Sequence, residues 1–205
     1  VDIDVTARRI AWMKLLNSVQ TCIAPDYVLA DHTIAGQLVD GSAGYLRQFR
    51  SSEATSDVRI VNVRKFDRLA ALRIEPVMAE EIFGPILPVL VVESLDAAVA
   101  FVNGRPKPLA VYVFTASSRL GRDLVDRMPS GGSVINHVAM HCPTPQLPFG
   151  GVGASGIGAY HGRWGFEKLS HRRSMLTKPA RPDPTFIYPP HNKWALSLMR
   201  HLILF

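Results

Sequence analysis

The stretch ILPVLVVESLDAAVAFVNGRPKPLAVYVFTASSRLGRDLVDRMPSGGSVINHV, residues 86–138, decides how this chain folds. It opens on an unbroken apolar run, Val89 to Val92, which suits a strand covered on both faces. LDAAVAFVNG follows as a helix, with Ser94 placed to cap it and Gly104 placed to end it. LAVYVFTAS reads as a second strand. RLGRDLVDRM is a helix with Leu120, Leu124, Val125 and Met128 along one side, and GGSVINHV is a third strand. Strand, helix, strand, helix, strand at this spacing predicts an α/β domain on a parallel sheet with right-handed crossovers. Ligands of such sheets bind at the carboxyl ends of the strands.

Upstream, residues 4–18 read as a helix with Ala7, Ile10, Ala11 and Leu15 on one stripe, and DYVLAD as a short strand. IAGQLVDGSAGYLRQF reads as a helix weakened by its glycines, with Ile34, Leu38 and Leu46 among its apolar positions. Residues 51–57 are polar and read as a loop, and residues 58–73 as helical in their second half. There is no internal repeat and no low-complexity segment.

The bulk properties narrow the class. A chain of 205 residues can bury a sizeable core without disulfide staples, and two cysteines without CxxC spacing suit a reducing compartment. The N-terminal VDIDVTARRIAW lacks the apolar core of a signal peptide, and no apolar run is long enough to span a bilayer. The chain opens at Val1 inside a helix-like segment, as a trimmed or partial chain would. Residues 161–205 carry eight Lys/Arg against two acids, which accounts for the whole net charge of +6. A basic tail suits nucleic acid, an anionic membrane or an oligomer interface. No nucleic-acid motif accompanies it, so nucleic acid is not expected as a partner.

Several short motifs bear chemistry. In SVQTCIAPDYVL, residues 18–29, Cys22 stands between a helix and a strand, where either a nucleophile or a buried core thiol fits. EEIFGP, residues 80–85, sets two acids and an aromatic before a Gly-Pro turn. A carboxylate there can accept hydrogen bonds from a ribose diol and a phenyl face can pack on a flat ring, while a simple helix end with a hydrophobic staple fits as well. PFGGVGASGIGAYHG contains GxGxxG at Gly151–Gly156, but without the strand before it and helix within it that a dinucleotide fingerprint needs. It is expected instead as a buried loop whose glycines permit positive φ and close backbone approach, with Phe149 reaching a neighbouring pocket. His137 and His141 are four apart in HVAMH, yet they follow a strand and no acid completes a ligand pattern, so no metal is expected. His141 and Cys142 look like a thiol/base pair only as chain neighbours.

Taken together, RRIAWMKLLNSVQTCIAPDYVL, EEIFGPILPV, KPLAVYVF, SGGSVIN and LPFGGVGASGIGAYHGRWGFEKLSHRRSM resemble the aldehyde dehydrogenase superfamily. The resemblance is greatest to its class 3-like branch of coniferyl and fatty aldehyde dehydrogenases, and the motifs stand in that family's order. It implies the parallel-sheet α/β catalytic domain of that fold over residues 1–178, truncated at its start, with LSHRRSML as a strand near the subunit interface and 179–205 as a basic, apolar tail. It implies that Cys22 is the nucleophile: its thiolate attacks an aldehyde to give a thiohemiacetal, hydride passes to NAD or NADP, and water hydrolyses the thioester to the acid. The Cys22 backbone N–H would help hold the oxyanion. Glu81 corresponds to the carboxylate on the nicotinamide ribose and Phe83 to the aromatic near the nicotinamide ring. Asn17 is expected as a positioning residue, with Asn136 and Phe149 lining or supporting the active-site mouth.

The chain departs from that pattern in three places. By resemblance the coenzyme-binding domain, the general-base Glu and the Asn completing the oxyanion hole belong before Val1. A chain without them is expected to hydrolyse the thioester slowly and to lose an oxyanion donor, worth typically ~10²–10³ in rate. Val19 stands where the family usually has glycine. LAALRIEPVMAEEIFGP joins a helix almost directly to EEIFGP, as after an internal deletion. Three readings follow: an NAD(P)-dependent aldehyde dehydrogenase, incomplete as this chain alone; a non-catalytic remnant or interaction subunit; and redox-independent thiol or esterase chemistry at Cys22. The expected partners are an aldehyde, and a homodimer mate or another chain supplying the missing parts. The expected location is the cytoplasm, or a membrane periphery if HNKWALSLMRHLILF lies on a bilayer as an amphipathic helix rather than docking on protein.

Overall fold

The computed structural model describes residues 1–50, 81–84 and 86–203. The expected loop over 51–57, the helix within 58–73 and the junction before Glu81 lie outside the described residues. Two compact units divide the chain, Val1–Ser170 and His171–Phe205.

Helix α1 (Ile3–Leu15) is capped by Asp2, whose carboxylate accepts from Val5 N at 3.0 Å. It tightens into a 3-10 turn at Leu16–Val19. Strand β1 (Val28–Asp31) and helix α2 (Ala35–Arg50) follow. Ala7 and Ile10 of α1, Ala30 of β1, and Ala35 and Leu38 form one buried cluster. A Cβ on Gly41 of α2 would lie 3.1 Å from that of Ala7, so a small residue lets the two helices meet closely. Val19 ends the 3-10 turn, and the left-handed residue within it is Asn17 (φ 52°), two positions earlier.

The strand–helix alternation of the opening stretch is present. Strand β2 (Val89–Val92), helix α3 (Leu95–Asn103), strand β3 (Ala110–Val113), helix α4 (Ser118–Arg127) and strand β4 (Gly132–Ile135) run in that order. Ser94 caps α3 by accepting from Ala97 N at 3.0 Å, Gly104 closes it, and Ser117 caps α4 by accepting from Leu120 N at 3.2 Å. All ladders among the described residues are parallel, but they form two pairs rather than one continuous sheet. Val28 to Asp31 of β1 pair with Val89 to Val92 of β2, and Ala110 to Val113 of β3 pair with Gly132 to Ile135 of β4. Apolar runs mark strands without saying which neighbour each one takes. The pairs are joined by side chains: Leu29 of β1 packs on the cluster of Val99, Val102, Val111, Val113, Leu124 and Met128, while Phe114 packs on the α1–α2 cluster. β2 is also less covered than its apolar run suggested, since Val91 is 61% exposed.

The glycine-rich segment differs from expectation in one respect. It lies on the surface, with Ile157 98% exposed, rather than buried. The close backbone approach is real: a Cβ on Gly150 would fall 2.0 Å from the Gly158 carbonyl oxygen, and one on Gly151 2.1 Å from that of Ser155. An antiparallel bridge between Phe149 and Tyr160, with N···O distances of 3.0 and 2.9 Å, pins the loop before helix α5 (Gly162–Lys168).

In the second unit, residues 171–179 make no ladder among the described residues, and Met175 and Leu176 are exposed. A 3-10 turn at Thr185–Ile187 leads to helix α6 (Lys193–Ile203), whose start is held by Asn192 accepting from Ala195 N at 2.8 Å. No helix among the described residues is long and apolar enough to cross a membrane.

Candidate active site

Cys22 is exposed and sits in the turn between the 3-10 helix and β1. Bonds from four directions hold that turn. Asn17 and Gln20 clasp one another: Asn17 Nδ2 donates to the Gln20 carbonyl at 3.0 Å, and Gln20 N donates to that of Asn17 at 3.0 Å. Ala24 N donates to Thr21 O at 2.9 Å, closing the turn around the thiol. From β3, Tyr112 OH donates to Ile23 O at 2.7 Å. From α1, Lys14 Nζ donates to Pro25 O at 2.9 Å. Asn17, expected as a positioning residue, lies in this turn in a left-handed conformation that asparagine tolerates.

The Glu81–Phe83 corner is anchored by the residue between them. Ile82 is fully buried, and its N–H donates to Asp26 Oδ1 at 2.9 Å. Glu81 is exposed and Phe83 half-buried, with Phe83 at φ 47°. Positive φ in an aromatic residue is uncommon and persists only where its surroundings over-determine it. A nicotinamide dinucleotide is implied by the resemblance, and these residues fit its nicotinamide-ribose end: an exposed carboxylate for a diol and a phenyl for a flat ring, on either side of a rigid anchor.

Asn136 lies just past β4 and ties its carboxyl end to that of β3. Its Oδ1 accepts from Thr115 N and its Nδ2 donates to Thr115 O, both at 2.8 Å, while Arg9 Nη1 of α1 donates to its carbonyl. One turn along α1, Trp12 meets His137 edge to face at 6.4 Å between ring centroids. Both arms of the Asn136 amide are thus engaged with Thr115. Phe149 is buried against Met13, Ile23, Val138 and Ala139, the cluster that also takes Cys142 and Tyr112. Its ring lies 5.6 Å from His141 and 5.8 Å from His161.

Burial sets the electrostatics of this wall. It holds the Tyr112 phenol far above the usual tyrosine range, and charge at Cys142 or Cys22 pushes the same way. Burial likewise pushes the Cys142 thiol up, aided by charge at Cys22, so both thiols lie within electrostatic reach of Tyr112. His141 is 6% exposed, and neither ring nitrogen has a hydrogen-bond partner among the described residues. Burial therefore lowers its pKa and favours the neutral ring, and His141 makes no dyad with Cys142. No group of three or more His, Cys, Asp or Glu able to hold a metal occurs among the described residues.

Sequence reasoning missed Lys14, Tyr112, Arg9 and Asp26. Of these, Lys14 had a readable signal: it lies seven residues after Ala7 and three after Ala11, on the stripe of α1 that is buried.

An exposed thiol in a pinned turn, tied through Asp26 to an acid–aromatic corner on an α/β frame, defines the class of the site. Residues 69–175, just over half of the chain, match the model of the aldehyde dehydrogenase family, and the chain belongs to that family. The dimeric NADP-preferring aldehyde dehydrogenase of Mus musculus is 40% identical, with 92% of this chain and 49% of the mouse protein covered. The protein of the same description from Bos taurus is 39% identical over 90% of each chain. The substrate-bound structure of Staphylococcus aureus AldH superposes with a TM-score of 0.89 at 32% identity, covering 98% of this chain and 51% of that one. The chain spans about half the length of the mouse and rat relatives.

Proposed function

We propose that residues 1–178 are the catalytic-domain portion of an NAD(P)-dependent aldehyde dehydrogenase that converts an aldehyde to a carboxylic acid through a covalent intermediate on Cys22. The observation that carries the reading is the Cys22 turn itself, an exposed thiol whose flanking groups are tied to α1, β3 and the Glu81–Phe83 corner. Cys22 Sγ, as thiolate, adds to the carbonyl carbon, and the Cys22 N–H donates to the oxygen that takes up the charge. Asn17 keeps the turn in the conformation that presents the thiol, Phe149 closes the apolar wall behind it, and Asn136 braces the strand ends. When bound, the nicotinamide supplies the acceptor for the hydride leaving the substrate carbon, with Glu81 assigned to its ribose and Phe83 to its ring. Cys22 then carries the acyl group as a thioester until water releases the acid.

The mouse and bovine relatives are named dimeric and NADP-preferring, which makes NADP the first cofactor and a homodimer the first assembly to test. The reading places the protein in the cytoplasm. The tail, residues 179–205, carries exposed Trp194, Leu196 and Leu202 beside basic residues, a composition able to engage a membrane periphery. Flotation with anionic liposomes tests that, and protein left wholly in the soluble fraction removes it.

The deciding experiment follows reduced cofactor with NAD or NADP and medium-chain or aromatic aldehydes, using Cys22→Ala as control. Turnover that disappears in Cys22→Ala supports the reading. The exposure of Cys22 also favours a second one, cofactor-independent ester hydrolysis or aldehyde trapping. Cys22-dependent ester cleavage by folded protein that reduces no cofactor would establish it in place of the first.

A further inference from the structure

We propose that Lys14 and Asp26 are positioning residues that join the Cys22 turn and the Glu81–Phe83 corner into one rigid piece. This rests on the reading of Cys22 as nucleophile and of Glu81 and Phe83 as cofactor contacts. The link is made at two consecutive residues. The Pro25 carbonyl is held from the α1 side by Lys14 Nζ at 2.9 Å, and the Asp26 carboxylate holds Ile82 N at 2.9 Å from the other side. Pro25 is three residues past the nucleophile, and Ile82 is the buried residue between the two expected cofactor contacts. One hydrogen bond, Ile82 N to Asp26, therefore connects the thiol's segment to the cofactor corner across 56 positions of sequence, and the Lys14 bond at the preceding residue fixes that segment to α1.

The choice of residue at position 14 points to geometry rather than stability. Lys14 is 2% exposed, beside the fully buried Met13. An ammonium at such a place loses its hydration, and burial pulls its pKa down to about 8, with the charge of Asp26 pulling the other way. A methionine or leucine would fill the site without that cost, but would leave the Pro25 carbonyl unheld. Reaction between a thiol-bound substrate and a cofactor depends on sub-ångström placement, so a rigid connection between the two has direct catalytic value.

The test uses Lys14→Met, Asp26→Ala and Asp26→Asn with three readouts: amide hydrogen exchange at Ile82 and residues 20–25, the alkylation rate of Cys22 by iodoacetamide, and the split of cofactor KM against kcat. Asp26→Ala removes the acceptor, so Ile82 exchange should quicken by about tenfold and cofactor KM should rise by about as much. Asp26→Asn keeps an acceptor oxygen and should return both to within about threefold of the parent protein. Lys14→Met should quicken exchange over residues 20–25 and slow Cys22 alkylation by about threefold, while the melting temperature holds or rises because a buried charge is gone. A purely structural lysine would instead lower the melting temperature and leave alkylation unmoved. Parental Ile82 exchange in Asp26→Ala, impairment of Asp26→Asn as deep as that of Asp26→Ala, or parental alkylation in Lys14→Met would each overturn the proposal. If the parent protein reduces neither cofactor, the functional reading falls, while exchange and alkylation still decide whether these residues tie the two segments together.

Discussion

Replacing Tyr112 by phenylalanine removes one of the bonds that hold the Cys22 turn. The ring stays, so the apolar wall beside Phe149 and Met13 keeps its packing and no cavity opens. What is lost is the 2.7 Å bond from Tyr112 OH to Ile23 O, together with the backbone hydrogen bond from Ala139 to the phenol oxygen, and Ile23 is a buried residue whose carbonyl then has to give up a partner. Orphaning a buried acceptor costs about 1–3 kcal/mol. At about 2–4 °C per kcal/mol for a chain of this size, the midpoint of thermal unfolding should fall by roughly 2–12 °C. Burial keeps the phenol protonated far beyond neutral pH, so the loss should be the same from about pH 6 to pH 9. The carbonyl concerned belongs to the residue after the nucleophile, so Cys22 alkylation should change with it. Tyr45→Phe is the control. It loses a bond of the same 2.7 Å length to Asp4 on the exposed surface and should shift the midpoint less than Tyr112→Phe does. A Tyr112→Phe midpoint within about 1 °C of the parent, with parental Cys22 alkylation, would refute the claim that this bond fixes the turn.

Gly151→Ala should destabilise by more than about 3 kcal/mol in urea titration, because its Cβ would lie 2.1 Å from the Ser155 carbonyl oxygen. Gly44→Ala, in α2 with open space around it, should stabilise by about 0.5–1 kcal/mol. His141 has a folded pKa held by burial below its unfolded value of about 6.5, so the unfolded chain takes up a proton that the native state refuses. Stability should be level above that pH and decline as pH drops below it, and His141→Leu should flatten the decline in melting curves taken at a series of pH values. The Arg127–Asp96 pair, 2.5 Å apart and exposed, should make Arg127→Ala only slightly less stable than the parent in urea titration, with the difference shrinking in high salt.

Local signals in this sequence translate directly into structure. Ser94 and Ser117 cap α3 and α4, Gly104 closes α3, and the run Val89–Val92 is a strand to the residue. Each depends on residues within one turn of one another, so the chain carries the signal locally. Pairing is a different matter, since β2 chooses β1 across helix α2 and all the residues between them, and nothing in an apolar run encodes that choice. The candidate site divides in the same way. Cys22, Asn17, Glu81 and Phe83 stand in contiguous motifs that the family resemblance exposes. The groups that hold them come from afar: Tyr112 lies 89 positions from Ile23, Arg9 lies 127 from Asn136, and Asp26 lies 56 from Ile82.

Lys14 is the instructive exception, because its position was legible and its chemistry argued against it. A lysine on an otherwise apolar stripe is normally assigned to the solvent edge, and Leu15 would be taken as the core residue. The structure reverses them, with Lys14 buried and Leu15 only half-buried. Since a buried ammonium stabilises nothing unless its hydrogen bond is needed, a cation inside such a stripe is better read as a statement about the carbonyl it holds. Here that carbonyl belongs to Pro25, and holding it from within α1 leaves Asp26 to reach the other way, to the corner that carries Glu81 and Phe83.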